Sequence, residues 1–324
     1  MKTCLIIGAG IAGLLAARTL QAAGVQVTVL DKGRGVGGRM ATRRIGGGLC
    51  DHGAQFFTAR SERFGQLVAD WQAAGLAVEW TRGFADPAGV WQNDSYPRYR
   101  GAQGMTTVPK FLAQGLDVRL NARAAAVQTD TAGWQVTLED GARLTSDALI
   151  LTPPVPQSLD LLKAGGVALS AADHDTLSSI VYHPCIAVMA RLDRLSAIPE
   201  PGGVQLDAEP IRWIADNTRK GISPDVPTVT IHGAPGFSRD HWEADRQAAG
   251  QALLDAAAPW LGSAQVSEWQ VHGWRYSQPI ATYHAPCLRA EGLPPLIFAG
   301  DAFAGPRVEG AALSGLAAAD GLLA

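Results

Sequence analysis

Residues 1–31 leave this chain few folds to choose from. Residues 3–7 (Thr-Cys-Leu-Ile-Ile) form an apolar run of strand length. Gly8-Ala9-Gly10-Ile11-Ala12-Gly13 follows, and the apolar spacing then turns helical over 11–23. Gly24 stops that helix, and residues 25–30 alternate as a second strand ending at Asp31. Three glycines in the turn of a strand–helix–strand predict a βαβ dinucleotide-binding unit. The glycines let the backbone approach a pyrophosphate, and a helix opening at Ile11 offers it free N–H groups and a positive dipole end. Asp31 is placed to accept hydrogen bonds from adenosine ribose hydroxyls, and its charge disfavours a 2′-phosphate there.

The rest of the composition narrows the class. At about 100–200 residues per domain, 324 residues suggest two domains, or one large α/β domain with an inserted partner. A net charge of −3 lacks the basic footprint of a nucleic-acid binder. Cys4, Cys50, Cys185 and Cys287 show no CxxC or His-paired spacing, so neither a disulfide framework nor a metal site is expected. The apolar run at 5–17 is interrupted by glycines and ended by Arg18, too short for a membrane span and better explained as strand and helix. The expectation is a soluble cytoplasmic protein with no membrane partner.

Downstream, the pattern predicts a helix over 56–74, a Trp/Gly-rich stretch over 75–103 and a helix over 106–114. Strands at 118–120, 124–129, 134–138 and 142–144 read as a small antiparallel sheet, with Asp140-Gly141 as its last turn. Residues 148–151 are a buried strand stopped by Thr152-Pro153-Pro154. Strands at 186–192 and 226–231, a helix over 238–257, a strand at 296–299 and a closing helix over 310–323 complete the reading.

Three further segments carry chemistry. After Asp31 comes Lys32-Gly-Arg34-Gly-Val-Gly37-Gly38-Arg39, a second close backbone approach followed by a cation, which suits a longer diphosphate ligand. Asp51-His52-Gly53-Ala54-Gln55-Phe56 places small residues where a flat ring could pass. Near the end, Gly300-Asp301 closes a strand and Gly310-Ala311 opens the last helix, whose N-terminus would stabilise negative charge on a reduced ring.

Together these motifs resemble the FAD-dependent amine-oxidase-like branch of the glutathione-reductase-type flavoproteins. Asp31 replaces that branch's usual Glu, and Gly33 its frequent Arg. Within the branch the chain is most similar to the renalases, through 51–56, the Ile231-His232 strand end and Trp274-Arg275-Tyr276-Ser277-Gln278. The resemblance implies an α/β fold: a discontinuous Rossmann-type FAD-binding domain (1–60, 100–155 and 288–324) and a mixed-sheet α+β substrate domain (61–99 and 156–287). It implies non-covalent FAD held by Gly8, Gly10, Ile11, Ala12 and Gly13, by Asp31 and Lys32, and by Gly38 and Arg39. Ala54, Gln55, Phe56, Val127, Gly300, Asp301, Gly310 and Ala311 complete the expected cofactor contacts.

The implied activity is oxidation of 2- and 6-dihydro isomers of NAD(P) to NAD(P)+, with O2 reduced to H2O2. Amine oxidases often set a lysine on a strand beside the flavin; the matching stretch here, 179–186, has none. The alternatives are an amine oxidase, desaturase or protoporphyrinogen-oxidase-like enzyme on the same fold, and a non-catalytic flavin- or nucleotide-binding protein. His232 reads either as a hydrogen-bonding partner of substrate or as a core histidine, and Trp274 as a slot wall or a core ring. Arg275 reads as a phosphate or flavin-edge contact, or as half of a salt bridge. Tyr182 and His183 are candidates for the cavity, and Arg98 and Arg100 for the entrance or a plain loop.

Overall fold

The computed structural model describes residues 1–88, 90–130, 133–206, 208–303 and 305–324. The chain divides into two compact units: Met1–Gly38, Pro109–Tyr182 and Gln278–Ala324 form the first, Arg39–Val108 and His183–Ser277 the second. Residues 39–60 therefore pack with the second unit.

The first unit is built on a six-stranded sheet in the order Leu288–Arg289, Leu296–Phe298, Ala148–Leu151, Thr3–Ile7, Gln26–Leu30, Asp117–Arg119. Only Leu288–Arg289 runs antiparallel to its neighbour. The predicted 118–120 strand thus belongs to the parallel sheet rather than the small antiparallel one. Its register sets Asp117 beside Thr28, whose hydroxyl donates to the Asp117 carboxylate at 2.8 Å. That long-range pairing left no mark on local pattern. The small sheet is Arg143–Ser146, Gly133–Leu138 and Ala124–Asp130, turned at Gly141 (φ 87°).

Helices Ile11–Ala22 and Arg307–Leu323 pack backbone to backbone: a Cβ on Gly315 would collide with the Ala12 carbonyl oxygen. Leu5, Leu30, Val127, Trp134, Val136, Leu149, Leu296 and Phe298 belong to this unit's buried core.

The second unit carries a seven-stranded sheet in the order Val266–Pro279, Tyr182–Leu192, Thr228–Gly233, Ile211–Asp216, Gly203–Gln205, Ala77–Ala85, Trp91–Gly101. The last two strands form a long hairpin where the sequence showed only a Trp/Gly-rich stretch. Helix Arg246–Leu261 buries Leu253, Leu254, Ala257 and Leu261 in a core with Ile186, Val188, Val229 and Ile231. Each such leucine contributes about 1.5–3 kcal/mol by burial.

Two predicted helices are shorter than their patterns. The 56–74 helix runs Glu62–Ala73, because Phe57 exchanges two backbone bonds with Tyr99 (2.9 and 2.8 Å) and Ser61 caps the helix through Phe64 N–H. The 238–257 helix is two helices, Pro235–Asp240 and Arg246–Leu261, the second capped by Asp245 through Gln247 N–H at 2.9 Å. A ribbon of Thr42–Ile45 and Gly48–Asp51 turns at Gly46 and Gly47, both with positive φ (50° and 87°), as a two-residue hairpin requires.

The glycine contacts give a first prediction. Gly315→Ala should cost about 1–3 kcal/mol by overpacking against Ala12. Gly65→Ala, in a helix with open space around it, should stabilise by about 0.5–1 kcal/mol. Thermal unfolding of both variants checks the pair; a Gly315→Ala protein as stable as the parent would refute the close contact.

Candidate active site

In the first unit the glycine loop has the shape a diphosphate needs. Gly8 (φ +105°) admits no side chain beside the Thr152 hydroxyl, and a Cβ on Gly13 would collide with the Gly8 carbonyl oxygen. At Gly10 a Cβ would meet no atom within 4 Å, so the helix start is open where Gly8 and Gly13 are closed. Gly10 caps the helix without a side-chain bond, leaving the first-turn N–H groups of Ile11, Ala12 and Gly13 without intrahelical partners.

Asp31 ties this loop together. Its carboxylate accepts from Ala9 N–H at 2.7 Å and from Gly33 N–H at 2.6 Å. A carboxylate has about four lone-pair directions, so acceptor capacity remains for ribose hydroxyls. Gly37 N–H donates to the Ala9 carbonyl at 2.8 Å, seating the second glycine pair on the first; Gly38 has φ 53°. Lys32 donates to Gln157 at 3.2 Å, its pKa lowered first by burial and then by Arg123.

At the far end of the chain Gly300 N–H donates to the Ser314 hydroxyl at 2.8 Å, and Asp301 is buried. The last helix begins at Arg307, ahead of the predicted 310. Gly310 and Ala311 are therefore inside it, and Gly310 is required because a Cβ would strike the Gly305 carbonyl. Val127 has a fully buried side chain in the core, and Gly165 packs on its carbonyl, where a Cβ would collide. Tyr182 accepts from Val155 N–H at 3.2 Å and packs against the core of this unit.

In the second unit, residues 39–56 are held from several directions. Arg39 donates to the Tyr276 and Ser277 carbonyls (3.2 Å each), and its own carbonyl accepts from Ala54 N–H at 2.7 Å. Asp51, fully buried, binds the Thr42 hydroxyl at 2.5 Å, Met105 N–H at 2.8 Å and the equally buried Lys220 ammonium at 2.7 Å. Gln55 donates to the Asp51 and Gly53 carbonyls, leaving its buried Oε1 without a partner.

His232 and Trp274 come together on the carbonyl of His52, which accepts from the Trp274 indole at 2.8 Å and lies 3.3 Å from His232 Nε2. His272 completes the group, its ring 4.4 Å from Trp274 and 5.1 Å from His52. Burial is the largest force on all three imidazoles. It holds His52 down at about 3, with Arg43 and His272 adding, and the Ala41 carbonyl opposing. His232 is lowered to about 4 by burial, with Lys220 and Arg212 adding, and His272 to about 4 by burial, Arg43 and Arg246. All three are neutral at pH 7. His52, only 4% exposed, keeps an unpartnered Nδ1.

The remaining candidates are not part of this imidazole group. Arg275 is 62% exposed and faces Glu243 at 3.8 Å, with Trp242 at 5.9 Å, away from His232. His183 is partly buried, its pKa lowered by burial, Arg212 and Arg239. Arg100 donates to the Gly101 and Ala102 carbonyls. Phe56 joins Trp80, Phe84 and Trp213 in an aromatic cluster, with Arg98 over Phe84 at 4.9 Å and over Phe56 at 5.6 Å. Sequence reasoning missed His272, Lys220, Trp80 and Trp213; their types were visible, but nothing local marked them as neighbours. Among the described residues no group of side chains is arranged to hold a metal ion, and no helix is long and apolar enough to cross a membrane.

The profile of the NAD(P)-binding Rossmann-like domain matches residues 6–71, and that of flavin containing amine oxidoreductase matches 76–323. The chain belongs to the flavin-containing amine oxidoreductase family. It is 26% identical to the renalase of Mus musculus over 293 residues, 86% of this chain and 85% of that one. A hydroxyneurosporene desaturase of Rubrivivax gelatinosus is 43% identical over 74 residues, 23% of this chain and 13% of that protein. Among solved structures, one assigned as a protoporphyrinogen oxidase from Exiguobacterium sp. 255-15 superposes with TM-score 0.75 at 15% identity, covering 99% of this chain and 98% of that one. A putrescine oxidase bound to putrescine gives TM-score 0.72 at 17% identity, with 99% of each chain covered. These two speak for the fold. The protein is a renalase-like, flavin-dependent oxidoreductase of the amine oxidoreductase family, with a Rossmann-type unit and mixed sheets.

The depressed pKa values of these imidazoles set a pH dependence. Between their depressed values and the ordinary 6.5, the unfolded chain binds protons that the folded chain does not. Their stability contribution is complete above pH 6.5 and is lost as pH falls towards 4. Denaturant midpoints should drop between pH 7.5 and 5.0, and His272→Gln should flatten that drop. An unchanged pH slope in the variant would refute the assignment for His272.

Proposed function

We propose that this chain is an FAD-dependent oxidase of misreduced dihydronicotinamide dinucleotides, the 2- and 6-dihydro isomers of NAD(P). The balanced reaction is dihydro-NAD(P) + O2 + H+ → NAD(P)+ + H2O2. The observation that carries this reading is the charge around the imidazole group. His52, His232 and His272 are neutral, and Arg43, Arg212, Lys220 and Arg246 all act on them as cations. Such surroundings disfavour an ammonium substrate and favour a dinucleotide, whose phosphates outweigh the charge of the pyridinium that forms. The renalase likeness over most of both chains supports the same choice.

FAD is the flavin that suits the first unit, because Asp31 and the open turn at Gly10 match an adenosine ribose and a diphosphate. When bound, the flavin supplies the two-electron acceptor and the route to O2. Non-covalent binding agrees with the cysteines: Cys4, Cys50 and Cys185 are buried, with thiols pushed up to about 12, and Cys287 is raised by burial and Asp320.

The chain's own task is positioning. A dihydronicotinamide needs no general base, since its ring nitrogen lone pair restores aromaticity as hydride departs. Trp274 and His272 offer ring faces, and the neutral imidazoles provide hydrogen bonds without placing a new charge beside the pyridinium that forms. His183 and Tyr182 remain candidates at the periphery of this task.

Two outcomes are expected. Anaerobic mixing with 2- or 6-dihydroNAD should bleach the flavin quickly, while benzylamine, putrescine and ordinary 4-dihydroNADH should be slow; rapid bleaching by an amine alone would favour the amine-oxidase alternative, and bleaching by none a non-catalytic flavin carrier. Asp31→Ala should weaken FAD retention by about one to two decades, the loss of a charge-assisted contact of about 1.5–3 kcal/mol. Equal FAD affinity in that variant and the parent would refute the ribose role.

A further inference from the structure

The aromatic cluster at Phe56 holds hydrogen-bond donors that the fold does not use. Trp213, 5% exposed, leaves its indole N–H without a partner, and Arg98 leaves both Nε and Nη1 unpartnered although its side chain is only 14% exposed. Among the described residues the carboxylate bound to Arg98 is that of Asp94, through Nη2 at 2.8 Å. Buried polar groups are nearly always satisfied, and each unmet donor costs free energy. Three such donors in one patch call for an acceptor from outside the chain.

The patch adjoins the imidazole group. Trp213 stands directly opposite His232 in the pairing of Ile211–Asp216 with Thr228–Gly233, so the two side chains share one face of the sheet. The Trp213 ring is 4.9 Å from Phe84 and 5.9 Å from Phe56, and Arg98 lies over both phenyl rings. One residue before Phe56, Gln55 presents the complementary feature, an unpartnered acceptor oxygen whose orientation is fixed by its amide nitrogen bonding two carbonyls.

We infer that Arg98 and Trp213 form a specificity site for the carbonyl oxygen of a planar carboxamide on the substrate ring. Gln55 Oε1 can accept from the amide nitrogen of the same group, and Phe56 and Phe84 supply flat apolar walls. The inference rests on the dihydronicotinamide reading and adds what that reading lacks: how a pyridine carboxamide is told from a bare ring. A site built to donate hydrogen bonds rejects an analogue lacking the acceptor, because its own buried donors are then left unmet.

The test uses the flavin-loaded protein and two redox-inactive probes, NAD+ and the dinucleotide with unsubstituted pyridine in place of nicotinamide. Binding is followed by perturbation of the flavin spectrum. The parent should prefer NAD+ by about tenfold or more. Trp213→Phe keeps a ring and removes only the N–H; Arg98→Met removes the guanidinium. Both should abolish most of the preference while flavin content stays normal, and Arg98→Lys should restore part of it. A ratio of affinities is insensitive to general loosening of the fold. Equal preference in parent and both variants would overturn the site. If the preference behaves as expected but no dihydro isomer reduces the flavin, the oxidase reading falls and the carboxamide site stands. If the isomers are oxidised and Trp213→Phe retains the full preference, the reverse holds.

Discussion

Backbone lying directly on backbone organises the first unit. Gly13 rests against the Gly8 carbonyl, Gly310 against that of Gly305, and Gly315 against that of Ala12. The last contact joins the first helix of the chain to the final one, so residues some three hundred positions apart share one packing surface. Any side chain at these three positions would push the two helices apart or tilt the glycine turn. The turn's angle in turn fixes where the open helix start at Gly10 looks, and Asp31 locks that angle by binding Ala9 and Gly33 at once. A residue read as a ribose contact is therefore also the brace of the loop.

The second unit depends on a different bond. Lys220 and Asp51 are both fully buried and 2.7 Å apart. Taking two charges out of water costs several kcal/mol per ion, and the pair survives because Asp51 has further donors in Thr42 and Met105 N–H. Those bonds gather the 42–51 ribbon, the turn before helix Thr107–Leu112, and the turn that carries Lys220. Removing either charge would leave the other buried and unpaired, at about 3–5 kcal/mol. Asp51 is adjacent to His52, so the ion pair also fixes the carbonyl on which His232 and Trp274 meet.

What was legible in the sequence was local. The βαβ unit and the small hairpin at Asp140-Gly141 follow from spacing and turn chemistry within a few residues. The 56–74 pattern overran its helix because Phe57 pairs with Tyr99, more than forty residues away, and the 118–120 strand found its sheet through Thr28. The site divides the same way. His232 and Trp274 could be singled out by the motifs that contain them, but His272 carries no such mark and joins them only through the fold. Strand alternation accounts for Arg275: beside Trp274 in sequence, it projects to the other face and ends exposed near Glu243.

The His52 carbonyl also decides the chemistry of His232. A carbonyl can only accept, so the His232 Nε2 that faces it carries the proton. The Trp274 indole donates to the same oxygen, so the two donors together take up both of its lone pairs. His232 is neutral, which leaves Nδ1 as an acceptor with no proton to give. Protonating Nδ1 would set a third positive charge beside those of Lys220 and Arg212, in surroundings where burial already disfavours the ion most. The buried ion pair at Asp51 and Lys220 thus does more than brace the ribbon. Its ammonium adds to the burial that keeps Nδ1 of the neighbouring imidazole unprotonated, so that this nitrogen accepts hydrogen bonds and gives none.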